Sequence, residues 1–364
     1  TWGNDIQLLK DGPATYDAIF KAIEEAREYI LLEFFIVRAD HVGRKLQLAL
    51  MEKAEEGVDV YFLYDEIGSY HLPKSYIKEM RRYGIAVEKF GAAKWGNPFQ
   101  VNFRNHRKLV VVDGKVASLG GINIGDAYVG KGPKFQPWRD TNVLIRGPTV
   151  QCLQIPFLED WYWATGQIPE LSWTPPAITE SASSHVLALP TGPADRQPIC
   201  CYSLLRLFNA AREKLWISTP YFVPDDALCA GLKMAAMRGI DVRVILPQKA
   251  DHKLVYLSSY HFLEDMLDAG VKFYRYQPGF IHQKVILVDD MVATVGSVNL
   301  DNRSVYLDFE LSILAVDKRF AGEVHDMLAR DLSQCREVFP GEYAKRSVWF
   351  KLGVALARLL DPIQ

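Results

Sequence analysis

The chain has 364 residues, 49% of them hydrophobic, 24% charged and 12% aromatic, which excludes a disordered protein and suits one large or two ordinary domains. Forty-two Lys and Arg against 44 Asp and Glu leave a formal charge of −2, so the chain lacks a global basic field for gripping a polyanion. No run reaches the roughly 18 apolar residues of a spanning helix, and no signal peptide opens the chain.

In chain order, residues 16–28 have the apolar spacing of an amphipathic helix and run into an apolar strand at 30–37. Residues 44–55 read as the next helix and 58–65 as a buried strand, and Gly84 precedes an alternating stretch through Ile85 and Val87. Residues 105–113 (Asn-His-Arg-Lys-Leu-Val-Val-Val-Asp) form a strand that turns at Asp113-Gly114 into a second one, a local hairpin. The stretch from about 167 to 197, with Pro175-Pro176, a Ser/Thr cluster and Gly192-Pro193, reads as a connection. Helices at 203–213 and 227–237, strands at 215–219 and 242–246, and a motif strand at 281–289 follow. Alternating strands and helices predict an α/β fold whose central sheets are mixed and mostly parallel, flanked by helices.

The order repeats. Ala26-Arg27-Glu28 returns as Ala211-Arg212-Glu213, and Gly57-Val58-Asp59-Val60 as Gly239-Ile240-Asp241-Val242. His106 pairs with His282 at an offset of 176 (282 − 106), which persists to Gly120/Gly296 and Asn123/Asn299. The reading is a duplicated domain: residues 1–170, a connection at 171–197, a second copy at 198–345, and an amphipathic tail at 346–364.

Residues two apart on a strand share a face, so His106 and Lys108 project together while Arg107 faces away, and His282 and Lys284 do likewise. An imidazole can serve as nucleophile or general acid/base near neutral pH, and a lysine beside it supplies charge for phosphoryl oxygens. The pair suits a phosphate. Asn123, Asn299 and the Ser297 hydroxyl are candidate hydrogen-bonding groups for it, with Gly120-Gly121 and Gly296-Ser297 allowing close backbone approach. His41, His71, His185, His252, His261 and His325 have no repeat partner and read as solvated or structural. Cys152, Cys200, Cys201, Cys229 and Cys335 show no metal-ligand spacing and read as buried reduced thiols.

His106-x-Lys108-x4-Asp113-x6-Gly-Gly-x-Asn123 and His282-x-Lys284-x4-Asp289-x6-Gly-Ser-x-Asn299 resemble the duplicated signature of the phospholipase D superfamily. Tyr64-Asp65-x-x-Gly68-Ser69, Thr219-Pro220-Tyr221-Phe222, Asp301-x-Arg303-Ser304 and Ala357-Arg358-Leu359-Leu360-x-Pro362 narrow the resemblance to bacterial cardiolipin synthases. The resemblance implies two copies about a pseudo-two-fold axis that bring His106 and His282 to one phosphate, one attacking and the other serving as acid and base. The motif residues His106, Lys108, Asp113, His282, Lys284 and Asp289 become the candidate catalytic set, although Asp113 and Asp289 look structural in such proteins. An acid is expected behind each histidine: Asp140, 34 residues after His106, and Glu310, 28 after His282, take that role. No metal or other cofactor is implied.

The implied reaction is phosphatidyl transfer between two phosphatidylglycerols, giving cardiolipin and glycerol through a phosphohistidine. Hydrolysis by the same site and a superfamily nuclease are the alternatives, and the −2 charge speaks against nucleic acid. Expected partners are phosphatidylglycerol and anionic membrane lipid, at the cytoplasmic face of a bacterial inner membrane. Since the first residue is Thr1, the chain is expected to be a processed or truncated form whose membrane segments precede it. Two stretches read as membrane-facing. The tail mixes Lys345, Arg346, Lys351 and Arg358 with Trp349, Phe350, Leu352, Leu356 and Leu359. The loop 126–139, six residues longer than its counterpart, carries Tyr128, Lys131, Lys134, Phe135, Trp138 and Arg139 and is expected to guide lipid toward His106.

Overall fold

A computed structural model describes residues 1–91, 102–132, 135–178, 182–249 and 251–361. The first copy contains strands β1 (Asp5–Lys10), β2 (Tyr29–Phe34), β3 (Asp59–Asp65), β4 (Ala86–Phe90), β5 (Arg104–Asn105), β6 (Lys108–Val112), β7 (Val116–Gly120), β8 (Trp138–Arg139) and β9 (Thr141–Arg146). Its helices are α1 (Asp11–Glu25), α2 (His41–Glu55), α3 (Lys74–Arg82) and α4 (Thr149–Thr165). The second copy follows with β10 (His185–Thr191), β11 (Lys214–Ser218), β12 (Phe222–Val223), β13 (Asp241–Pro247), β14 (Lys272–Tyr276), β15 (Phe280–Ile281), β16 (Val285–Val288), β17 (Val292–Gly296), β18 (Leu300–Asp301), β19 (Asp308–Val316) and β20 (Cys335–Val338). Helices α5 (Ile199–Ala210), α6 (Asp226–Met237), α7 (Lys253–Asp268), α8 (Asn302–Tyr306), α9 (Lys318–Ser333) and α10 (Val348–Arg358) complete it.

The first sheet runs β1-β9-β7-β6-β2-β3-β4 and the second β10-β19-β17-β16-β11-β13-β14-β20, so the two copies repeat one topology. The expectation of mostly parallel sheets is corrected. Along these two strand orders β2-β3-β4 and β11-β13-β14, joined by helical crossovers, run parallel, while the motif hairpins β6-β7 and β16-β17 and their outer neighbours are antiparallel. A hairpin turn reverses the chain and so forces antiparallel pairing on that side of each sheet. The connection at 171–197 is also more than a link, because β10 within it closes the edge of the second sheet against β19.

Period-two alternation sorts the strands onto two faces. Leu31, Leu109 and Val111 meet Val285, Leu287, Phe157 on α4 and Phe320 on α9 in one core that runs through both copies. Ile30, Leu32, Val110 and Val112 pack under α1, α2 and α3, and Ile286 and Val288 under α5, α6 and α7. All five cysteines are free, with Cys152, Cys229 and Cys335 only half-buried. Among the described residues no helix is long and apolar enough to cross a membrane.

Candidate active site

Two short strands cross between the copies and build the site. β5 lies parallel to the start of β19, and β8 lies parallel to β15. The ladders continue into the histidines: His106 N–H donates to Phe309 O at 2.9 Å and His282 N–H to Arg139 O at 2.7 Å. Each histidine is therefore held in register with the strand of the opposite copy, one residue before an acid.

That register exchanges the acids. His106 Nδ1 lies 3.0 Å from both carboxylate oxygens of Glu310, and His282 Nδ1 lies 2.8 Å from Asp140 Oδ2. Each acid stands behind the histidine of the other copy, an arrangement that distance along the chain does not reveal. Both carboxyls are fully buried. Burial pushes Glu310 up to about 7 against the pull of Lys108. For Asp140 burial pushes the same way, but the His282 hydrogen bond and the His282 and Lys284 charges outweigh it, so its pKa falls below the ordinary value.

The imidazoles differ in turn. Burial, then Lys108 and Lys284, hold His106 well below its ordinary range. His282 is also lowered, by burial and Lys284, but Asp140 opposes the shift. Lys108 and Lys284 stand on the same strand face as the histidines, as the spacing predicts, yet they lie behind the rings. Lys108 Nζ donates to His106 O at 2.5 Å, and Lys284 Nζ sits 3.0 Å from His282 Nε2. Burial brings their pKa values down to about 7 and about 8. Arg107 faces away, into the inner core, where it bonds Asp160 on α4; Gln283 likewise reaches Asp331 on α9 at 2.9 Å.

His106, His282, Asn123 and Asn299 line one open cavity of about 390 Å³, with Phe35, Tyr128 and Trp138 among its walls. Asn123 Oδ1 accepts from Ile36 N–H at 2.9 Å, which leaves the amide nitrogen as its donor toward the cavity side.

Three expectations are corrected. Asp113 and Asp289 are remote from this cavity: Asp113 accepts from the N–H groups of Arg27, Glu28 and Tyr29 at 2.8–3.0 Å, and Asp289 from Arg212, Glu213 and Lys214 at 2.9–3.3 Å. Both sit in the left-handed region at φ 51° and pin the motif hairpin to the start of β2 or β11. Ser297 does not face substrate either, since it is buried, its hydroxyl exchanges hydrogen bonds with the Leu311 backbone, and it supports Glu310. In the loop 126–139, the described side chains of Tyr128, Phe135, Trp138 and Arg139 pack against the protein and do not form an outward anchor. Trp138 lies 5.0 Å from the ring of His282, not His106, Phe135 lies 5.3 Å from Phe280, and Arg139 is ion-paired with Asp331 and Asp11. Lys134 lies outside the described residues.

Sequence reasoning missed several residues of the cavity wall: Tyr221, Asp251, His252, Arg303 and Asp308. Tyr221 and Arg303 stood in the family-like flanks without a role. Asp251 and His252 have no counterpart of like chemistry in the first copy, so a search for repeats passes over them.

The sequence matches the family described as cardiolipin synthase, PLD-like domain, over residues 19–161 and 204–332. It is 49% identical over 363 residues to cardiolipin synthase A of Pseudomonas putida strain W619, covering 99% of this chain and 75% of that one. It is 48% identical over 361 residues to cardiolipin synthase A of Pseudomonas aeruginosa strain LESB58, covering 99% and 73%. Among solved structures, phosphatidylserine synthase of Haemophilus influenzae superposes with a TM-score of 0.76 at 16% identity over 99% of this chain and 95% of that chain. Polyphosphate kinase of Porphyromonas gingivalis gives 0.62 at 14% identity, covering 98% and 52%. These structures share the fold, and the sequence matches fix the lineage: the chain belongs to the cardiolipin synthase family, with its phospholipase D-like domain present twice around one histidine pair.

Proposed function

We propose that the chain is a phosphatidyltransferase that joins two phosphatidylglycerols into cardiolipin and releases glycerol. The observation that carries the reading is the pair of histidines in one cavity, each with Nδ1 held by a buried carboxylate. That hydrogen bond sets the tautomer and leaves Nε2 as the reactive nitrogen. His106, kept neutral by burial and nearby lysines, is suited to attack phosphorus. His282, beside an ionised Asp140, is suited to carry the proton.

In the first step the His106 Nε2–P bond forms, the P–O bond to glycerol breaks, and His282 gives its proton to the departing oxygen. In the second step the hydroxyl of another phosphatidylglycerol loses its proton to His282 and attacks phosphorus as the N–P bond breaks. Lys108, Lys284, Asn123 and Asn299 stabilise charge on the phosphoryl oxygens. The bound phosphate anion raises the pKa of both lysines and both histidines, which restores the charged forms where they are needed.

The substrate is an anionic lipid, and α10 gives the chain a membrane-facing surface. Its Val354 and Ala357 are buried and Phe350 meets Tyr260 at 5.0 Å, whereas Val348, Trp349 and Leu359 are 79%, 81% and 75% exposed. The helix is docked on α7 and also amphipathic outward, so its packing on the protein leaves an apolar stripe for the membrane-facing role expected of the tail. Anionic bilayers at the cytoplasmic face of an inner membrane fit this surface.

The test is mass spectrometry of the lipids formed from phosphatidylglycerol vesicles. Cardiolipin with glycerol is expected; phosphatidic acid alone would assign the site to hydrolysis.

A further inference from the structure

The cavity is unequal about its two histidines. On one side Asp308 is neutralised by Arg303 at 2.9 Å, so its charge is spent within the protein. On the other, Tyr221, Asp251 and His252 line the cavity near His282, and the steps above give them no task. Tyr221 stands edge-on to the His282 ring at 6.3 Å and donates its hydroxyl to Asp251 Oδ2 at 2.5 Å. Asp251 Oδ1 accepts from the His252 N–H at 2.7 Å. Each carboxylate oxygen thus has one donor and retains a lone pair for another, and the side chain remains 19% exposed.

We propose that Asp251, steadied by Tyr221, is a specificity-determining residue for the alcohol: it accepts hydrogen bonds from a polyol headgroup and holds the reacting hydroxyl against His282. The inference rests on the phosphatidyl-transfer reading and deepens it. The departing alcohol takes its proton from His282 and the incoming alcohol gives one back, so by microscopic reversibility both occupy the same place. A carboxylate lining that place touches both. Glycerol offers hydroxyls beyond the reacting one, and a hydroxyl that finds an acceptor there is discriminated from a methylene that does not. An ammonium-bearing alcohol is disfavoured, because Arg303 lines the same cavity and Asp251 already shares its charge with two donors.

The experiment supplies a short-chain, water-soluble phosphatidylglycerol with isotopically labelled glycerol, 1-butanol or ethanolamine as acceptor. Labelled phosphatidylglycerol, phosphatidylbutanol, phosphatidylethanolamine and phosphatidic acid are quantified together. In Asp251→Asn the ratio of glycerol to butanol transfer should fall about tenfold or more, the loss of a charged hydrogen bond. Tyr221→Phe should move the same ratio in the same direction by less, and it supplies the answer if the Asn variant does not fold. An unchanged glycerol-to-butanol ratio in the folded variants would overturn the assignment and leave Asp251 as support for His282. A loss confined to ethanolamine would overturn it in favour of an amine site. Failure of the unmodified protein to exchange any alcohol would instead overturn the transfer reading itself.

Discussion

Behind His106 stands a glutamate and behind His282 an aspartate, and the shorter acid lies closer to its backbone. A Cβ placed on Gly121 would come within 2.1 Å of Asp140 Oδ1, so that position has no room for a side chain. The equivalent residue on the other side is Ser297, whose hydroxyl fills the space and supports Glu310. A second exchange lies one layer deeper. Asp160 on α4 is neutralised by Arg107, from the motif strand of its own copy. Its counterpart Asp331 on α9 is met by Gln283 at that position and takes its guanidinium from Arg139, which arrives from the other copy. Backbone register is repeated; the placement of charge is not. The two imidazoles sit in repeated places, but the divergent supporting shell gives them unequal surroundings: burial and two lysines hold His106 well below its ordinary range, whereas Asp140 opposes the lowering of His282, and the proposed division of roles rests on that difference.

The comparison breaks most sharply at the histidines. His106→Ala and His282→Ala should each lower cardiolipin formation about 10³-fold or more, because residues that act as a unit fail together. They should differ in what accumulates. His282→Ala retains the nucleophile, so acid-quenched enzyme given a donor with a good leaving group should yield a phosphatidyl adduct whose peptide contains His106. An adduct on His282 in the His106→Ala variant would reverse the roles.

A smaller effect separates the acids. Asp140→Asn removes an ionised partner from His282 and should cost about 100-fold in kcat. Glu310→Gln removes a group that is already half-protonated near pH 7 and should cost about tenfold. Stability should follow opposite signs. Glu310 is raised from 4.5 to about 7, so the native protein loses stability as pH climbs through that window, and the Gln variant should gain in relative Tm up to pH 7 and then level off. Asp140 is lowered from 3.8, so its contribution is present above that pH and is lost as acid protonates it in the fold. Thermal melts across pH 3 to 8 check both; equal pH profiles for the two variants would mean that the acids are equivalent.

How much of this was legible in the sequence follows from the range of the forces involved. His106 with Lys108 and His282 with Lys284 were readable because a strand's period of two is local, and the duplicate removed the ambiguity of a single motif. The helices flanking them were readable from apolar spacing, within a few residues: residues 16–28 became Asp11–Glu25 and 203–213 became Ile199–Ala210. The exchange of acids was hidden because two-residue strands, β5 against β19 and β8 against β15, decide it, and so short a pairing leaves no periodicity. Trp138 looked like a bilayer anchor for a related reason. Aromatics between glycines and prolines read as a surface loop until Phe280 of the other copy is placed beneath them. Asp113 and Asp289 shared the motif's spacing and so joined the candidate set although the resemblance leaned to a structural role, and the three N–H groups that each one accepts show that the aspartate is there for the turn.

The Gly121/Ser297 difference gives the next effect in size. Gly121→Ser has to displace the Asp140 carboxylate and should lose about 2 kcal/mol of stability together with much of the activity. Ser297→Gly removes one hydroxyl and should cost about 1 kcal/mol with a modest fall in kcat. Urea melts and initial rates check the pair. Equal losses would mean that the space behind the two histidines is interchangeable after all.

The smallest effect is expected where the copies have no counterpart at all, in α10. The helix spends Phe350, Val354 and Ala357 on its contact with α7, and the residues left over are apolar rather than charged: Trp349, Leu352 and Leu356 are 81%, 48% and 59% exposed. Lys351 does not counter them, since its ammonium donates to Ala344 O at 2.7 Å, and Arg346 lies over the Phe350 ring at 5.1 Å. A helix anchored by one apolar stripe and presenting another is suited to a second apolar phase, and the bilayer is the phase in which the substrate resides. Trp349→Ser with Leu352→Ser should therefore weaken co-sedimentation with phosphatidylglycerol vesicles by about tenfold, given about 25 cal/mol for each Å² of apolar surface withdrawn from water. Because both side chains are exposed and neither lines the cavity, Tm and turnover of a short-chain soluble phosphatidylglycerol should stay close to those of the unmodified protein. A fall in Tm equal to that of Val354→Ser would instead show that the outer stripe is covered by the protein itself, and the membrane surface would have to lie elsewhere.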